Sequence, residues 1–421
     1  MFPKRDFNVI KRAYNSHNFK MENSKMNIKN KIVLSSIAAV AALSFSACSS
    51  DDSTSVAPAV NYEVVQAASL ATTDYSTGGS AATGADSANY VYDVTALAGT
   101  KVVHTGDITV NATWDNNETH VISGLVVVKS GVTLTINPGT IVAGRDGTGA
   151  STSYMIVEAG ANIDAQGTTT DPIVFTSETA VDGGADAVGQ WGGLTILGNA
   201  ANAQVGPYEV NSLYEATDTN LTDSSGILKH VKILNSGITM EQDKEINGLS
   251  LVGVGSGTTV EDITVDLSDD DGIEIWGGTV NLSNITISNC TDDHFDIDDG
   301  YSGTVTNMLI HNTGTGNAGM EMSGTTVATF DTLKITLDAG SNKEGGIFFK
   351  KDGIGGHFSN VTVTNNADAT NTYGALYTQG DADEANISFT NIILDGTSEY
   401  KITENETDSS GSAEDIYNLI N

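Results

Sequence analysis

The chain is poor in the residues that most catalytic and nucleic-acid-binding motifs require. Only two cysteines occur, so neither a disulfide framework nor a Cys-x-x-Cys metal or redox site is available. Seven histidines are scattered, which argues against a zinc centre. Basic residues number 19 against 53 acidic ones, and 8 of the 19 fall in residues 1–47 with only 2 of the acids. Arg145 is the only arginine beyond that leader. Such a balance repels nucleic-acid phosphates and anionic lipid, and it favours solubility and cation binding. There is no Walker loop, no Gly-x-Gly-x-x-Gly and no His-Glu-x-x-His. The longest apolar stretch, Ile32 to Phe45, falls short of the roughly 20 residues that span a bilayer.

That short stretch has a different use. Lys29 and Lys31 precede it, and Phe45-Ser46-Ala47-Cys48 follows. A basic start, an apolar centre and small residues make a secretory signal. The segment resembles a bacterial lipobox, which implies cleavage before Cys48 and lipid attachment to it. Met26 is then the natural start, residues 1–47 are removed, and Cys290 is left without a partner as a small core residue. No Asp follows Cys48 directly, so an inner-membrane retention signal of that type is missing. The expected location is the outer membrane, on its periplasmic face or at the cell surface. Residues 48–105 read as tether and N-terminal cap, and the acidic residues 401–421 as a C-terminal cap or tail.

Between them, most of the chain's 45 glycines punctuate short β-rich runs. Ile263, Ile285, Met308, Leu333, Val361 and Ile392 anchor a repeat whose steps are 22, 23, 25, 28 and 31 residues. A second strand family precedes it in each coil: Gly248-Leu249-Ser250-Leu251, Gly272-Ile273-Glu274-Ile275, His294-Phe295-Asp296-Ile297, Gly319-Met320-Glu321-Met322 and Gly346-Ile347-Phe348-Phe349. A repeating coil of two or three short strands is the mark of a parallel β-helix, an all-β solenoid expected over residues 106–400. Asn235, Asn289, Asn312 and Asn365 fall four residues after their anchors, where an asparagine ladder or simple turn preference would place them.

Several phrases resemble a family of right-handed β-helix lipoproteins and secreted proteins of Gram-negative bacteria. They are Gly131-Val132-Thr133-Leu134-Thr135-Ile136-Asn137-Pro138-Gly139-Thr140, Gln190-Trp191-Gly192-Gly193-Leu194, Asp270-Asp271-Gly272-Ile273-Glu274 and Asp292-Asp293-His294-Phe295-Asp296 with Asp299-Gly300-Tyr301. The resemblance implies fold and envelope location. More distantly it points to pectate-lyase-like polysaccharide enzymes, which employ Arg or Lys against a proton α to a carboxylate. Arg145 lies outside the acid-rich coils, and no catalytic set matches residue by residue.

The chemistry concentrates in those acid-rich coils. With Ile273 and Ile275 inward, Glu274, Asp296 and Glu321 form one outward column. Three readings are open. A Ca²⁺ site would draw on Asp270, Asp271, Glu274, Asp292, Asp296, Asp298 and Glu321, because hard oxygen ligands suit that ion. A polysaccharide hydrolase or lyase would use Asp293, Asp296 and Asp299 with His294 assisting. Solvated acidic turns would only keep the surface soluble. Trp276 and Tyr301 are candidate faces for a sugar, against core or turn packing. The preferred expectation is a lipid-anchored, non-enzymatic surface module, Ca²⁺-stabilised, whose partner is a glycan or a surface protein; the enzyme is the alternative.

Overall fold

The computed structural model describes residues 100–200, 219–241, 244–312, 316–338, 344–350, 354–366, 374–379, 386–396 and 402–404. The leader, Cys48 and most of the tether lie outside the described residues.

The described chain is a right-handed parallel β-helix. One 23-stranded sheet winds through it, and every strand pairs in parallel with its counterpart one coil away. A short strand and a longer bent one alternate along the chain. Leu194–Leu197, Leu249–Val252, Ile273–Trp276, Phe295–Asp298, Ala318–Met322, Gly345–Lys350 and Leu376–Gln379 stack as one ribbon. Thr259–Asp266, Asn281–Ser288, Thr304–Asn312, Val327–Leu337, Gly355–Asn365 and Ile387–Asp395 stack as the other.

Alternation fixes what each strand buries. Leu249, Ile273, Phe295, Met320 and Ile347 are direct partners and point inward, as do Leu251, Ile275, Ile297, Met322 and Phe349. All ten are fully buried. A one-residue slip would turn this column outward, so the apolar pattern locks the register. The residues between them form the outward column Thr195, Ser250, Glu274, Asp296, Glu321, Phe348 and Tyr377.

The long strands bend at one residue each. His230, Asp262, Asn284, Asn307, Thr332, Asn360 and Asn391 all have positive φ, between 49° and 65°. Asn and Asp tolerate this left-handed conformation better than other side-chain-bearing residues, which explains their recurrence there. The direct asparagine ladder runs in this column: Asn307 donates to Asn284 at 2.7 Å and Asn391 to Asn360 at 3.1 Å. Three of the asparagines expected to form a ladder also hold other side-chain hydrogen bonds. Asn235 donates to the Ala187 carbonyl, Asn289 to Asp266 and Asn365 to the Gly374 carbonyl.

Two expected boundaries move. The first strand is Thr100–Ile108, so the solenoid starts inside the expected cap, and Ile402–Glu404 adds a strand inside the expected tail. A small antiparallel hairpin, Ile238–Glu241 with Lys244–Ile246, departs from the solenoid. Its Ile238 and Ile246 pack on Val127, Tyr154, Ile156, Leu197, Val252 and Trp276. It therefore walls the outer face of the short-strand ribbon just before the acidic coils begin.

Candidate functional site: an acidic cleft on the short-strand ribbon

Parallel stacking brings the carboxylates together. Glu274 is the register partner of Asp296, and Asp296 of Glu321. The residues leading into those strands stack too. The Asp293 amide donates to Asp271 Oδ1 at 2.9 Å, and the Ala318 amide to Asp293 Oδ1 at 2.6 Å. Asn317 donates to Asp292, and the Glu344 amide to the Asn317 carbonyl. Two successive coils thus deliver three acids each, Asp270, Asp271 and Glu274 and then Asp292, Asp293 and Asp296, and the next two add Glu321 and Glu344.

They do not splay into water. Asp270, Asp271, Glu274, Asp293, Asp296 and Glu321 are all between 4% and 8% exposed. This overturns the reading as solvated turns, because burying a carboxylate costs far more than leaving it hydrated. A cleft of about 380 Å³ opens beside Asp271 and Glu274, lined by Asp269, Asp270, Asp271, Glu274, Thr291, Asp292 and Asn317, with Thr239 and Glu245 from the hairpin, while Asp293, Asp296 and Glu321 lie outside its lining. Asn247, at the base of the hairpin, donates to Glu274 Oε2.

Three groups of carboxylate oxygens lie within 4.8 Å of one another: Asp270, Asp271 and Asp292; Asp271, Glu274 and Asp296; Asp293, Glu321 and Glu344. The first two share Asp271. Asp296 Oδ1 is buried and has no hydrogen-bond partner. The protonation states follow from this crowding. Burial first, then the neighbouring Asp270 and Asp292, raises the Asp271 pKa well above the carboxylate range. Burial and Glu321 do the same for Asp293 and Asp296. Glu344 is pushed up to about 7 by burial and Glu321.

A cation answers at one corner. Lys350 Nζ lies 2.6 Å from Glu321 Oε1. Burial alone would lower its pKa, but Glu321, aided by Asp296 and Glu344, outweighs this and raises it. A lysine held charged in this way is a poor proton acceptor.

The expected residues divide. Asp270, Asp271, Glu274, Asp292, Asp296 and Glu321 converge. Asp298 does not; its Oδ1 takes the Asp299 amide and the Ser323 hydroxyl at the far end of the strand. Asp299 sits in the turn beyond, at φ 53°. Asp293 and Asp299 therefore flank a four-residue strand that alone spans roughly 13 Å. Asp293 joins the acidic set through Glu321 and Glu344, whereas Asp299 belongs to none of its three groups.

His294 is also misplaced for a proton shuttle. It stands where neighbouring coils carry Gly272 and Gly319, is fully buried, and its Nδ1 pairs with the Ala318 carbonyl at 3.2 Å. Burial lowers its pKa to about 4, so it is neutral. Tyr301 is wholly inside the core with its hydroxyl on the Val280 carbonyl at 2.8 Å. Trp276 is 5% exposed beneath the hairpin. Neither ring offers a face to a sugar; both are needed for packing, where large aromatic area is worth most.

Glu344, Lys350, Asn247, Thr239 and Glu245 join the site without having been anticipated. Counting one coil on from Asn317 reaches Glu344, and alternation from Phe348 reaches Lys350. The hairpin has no counterpart in the repeat, so no period points to it.

The family described as a pectate-lyase-like beta helix domain matches residues 106–419. The chain belongs to that family. It matches no curated protein and no solved structure. Membership agrees with the parallel solenoid, whereas a fold by itself does not name a reaction.

Proposed function

We propose that this pectate-lyase-like β-helix is an envelope lipoprotein, anchored through Cys48 in the outer membrane, that binds Ca²⁺ in the acidic cleft and holds a glycan through it. The observation carrying the reading is Asp296: 8% exposed, one oxygen without a partner, and grouped with Asp271 and Glu274. Buried carboxylates this close repel unless protonated or bridged by a cation. Ca²⁺ takes six to eight oxygens in irregular geometry, which two carboxylate groups sharing Asp271 begin to supply, with water and ligand completing the shell. Mg²⁺ demands a stricter octahedron and keeps its water.

A glycan fits this site better than a nucleic acid or an anionic membrane, since the cleft repels phosphates. Its lining is polar and offers hydrogen bonds to hydroxyls. A partner protein at the surface is the competing ligand. Polysaccharide hydrolysis is the second reading, favoured by the raised pKa values of Asp293 and Asp296, the state a general acid requires.

The test incubates the protein with neutral and acidic polysaccharides, in Ca²⁺ or chelator, and follows binding and chain cleavage together. Ca²⁺-dependent binding without cleavage supports the binding module. Cleavage abolished by Asp296→Asn moves the assignment to the enzyme. Neither binding nor cleavage of any glycan rejects the glycan as ligand. Membrane fractionation of wild type and Cys48→Ala tests the anchor, and inner-membrane recovery of the wild type rejects the placement.

A further inference from the structure

We propose that the Lys350 ammonium is the resident counter-ion of the third acidic group, Asp293, Glu321 and Glu344, keeping divalent cations out of that locus while the two loci sharing Asp271 take them. The inference rests on the cation-binding reading above and adds a rule for how many ions the acidic coils accept.

The three groups look alike by composition, but they differ in occupancy. In the Asp271, Glu274 and Asp296 locus, one buried oxygen of Asp296 has no partner. In the third group, Glu321 already has a cation at 2.6 Å, and its side chain is 5% exposed. Lys350 reaches it from the adjacent coil. Phe348 is the register partner of Glu321, and Lys350 follows two residues later on the same outward side. The ammonium lies 5.9 Å from the Phe348 ring centroid, so an aromatic face supports the cation. The ring itself is 1% exposed and stacks on Tyr377 at 4.6 Å, which fixes the support in place.

Chemistry favours a lysine in this role. An ammonium is a compact point charge with three donors, suited to several carboxylate oxygens at once. Being tethered, it needs no concentration in solution to occupy the site. A divalent ion entering the third group would have to expel it or sit beside it against direct repulsion. Asp296, the register partner of Glu321, marks the border between the two regimes.

Ca²⁺ stoichiometry separates the possibilities. Isothermal titration is run on the wild-type protein, on Lys350→Met and Lys350→Gln, and on Lys350→Arg as the charge-keeping control. Circular dichroism selects the neutral variant that retains the fold. The expected result is one additional equivalent of Ca²⁺ in the neutral variant and wild-type stoichiometry in Lys350→Arg. Wild-type binding with unchanged stoichiometry in the neutral variant overturns the counter-ion role and leaves the cation reading standing. No binding in the wild type but one equivalent in the neutral variant sinks the Asp271 loci and upholds the role of Lys350. No binding in either overturns both.

Discussion

Asp296 and Glu321 are direct partners in the parallel ladder, each more than nine-tenths buried, and among the described residues Lys350 is the cation beside them, paired with Glu321. Like charges placed opposite one another in a sheet destabilise it. In chelator, Asp296→Asn is therefore expected to raise stability by about 1 kcal/mol, the upper end of a cross-strand pair. The same change should weaken Ca²⁺ binding at least tenfold, the lower end of what losing even an outer-shell partner costs. Melting in chelator and titration in Ca²⁺ check the two halves. A variant that melts lower and binds Ca²⁺ normally would refute the assignment.

The acidic cluster also sets a pH dependence. Asp271, Asp293, Asp296 and Glu344 have folded pKa values above their ordinary ones, Glu344 at about 7. The folded state then holds protons that the unfolded state has released. Their contribution is fully present below about pH 4 and is lost as pH rises through the folded values. Without Ca²⁺, the melting temperature should fall between about pH 4.5 and pH 7.5 from these groups. Ca²⁺ binds the ionised forms and should flatten that slope. Melts across this range, with Ca²⁺ and with chelator, measure the difference.

Much of this was legible in the sequence. Period-2 alternation in Gly272-Ile273-Glu274-Ile275 and its equivalents gives the inward and outward sides. The rising spacing of Ile263 to Ile392 gives the stacking. Convergence of Asp271, Glu274, Asp296 and Glu321 follows from those two facts. The wall beside Asp270, Asp271 and Glu274 did not follow, because the hairpin that supplies Thr239 and Glu245 lies outside the repeat and has no period. Asp298, Asp299, His294 and Tyr301 were misjudged for a common reason. Asp298 ends its strand and the other three sit at corners, where alternation stops and backbone angles decide direction. His294 occupies a place that is glycine in the coils on either side, and a corner glycine position faces the core.

At the N-terminal end the pH response has the opposite sign. His104, Trp114 and His120 stack with ring centroids 4.4–5.2 Å apart, and His104 Nε2 meets His120 Nδ1 at 2.9 Å. Burial and then His120 lower the His104 pKa to about 4. Burial lowers that of His120 as well, despite the Asp115 carbonyl, Glu118 and Asp115 charges that favour its cation. The unfolded state binds protons first, so stability is full above about pH 6.5 and is lost as pH falls toward 4. Hydrogen exchange over residues 100–128 should accelerate at pH 4.5 relative to the rest of the solenoid, after correction for intrinsic rates. His104→Phe should remove most of that local response. Uniform exchange along the solenoid at both pH values would count against it.

Cys290 makes the tightness of the coil corners measurable. It is fully buried, and burial with nearby Asp266 and Asp271 raises its thiol pKa well above the ordinary value. The thiolate is the reactive form, so a native protein carrying Cys48→Ser should resist thiol reagents until it opens. Gly272 lies against this corner. A Cβ there would stand 2.4 Å from Ile287 Cγ2, 2.6 Å from the His294 carbonyl and 2.9 Å from Cys290 Sγ. Backbone on one side and core on the other leave no cheap way to yield. Gly272→Ala should cost about 1–3 kcal/mol, the range for overpacked cores, and accelerate labelling of Cys290 by about five- to a hundredfold where labelling follows opening. Gly131→Ala is the control: its Cβ would meet nothing within 4 Å, although φ +81° strains the backbone. It should lower stability through that strain while leaving the Cys290 corner intact, so labelling below the melting transition should rise less than in Gly272→Ala. Equal labelling in the two variants at matched stability would mean that the corner is not where the coil opens.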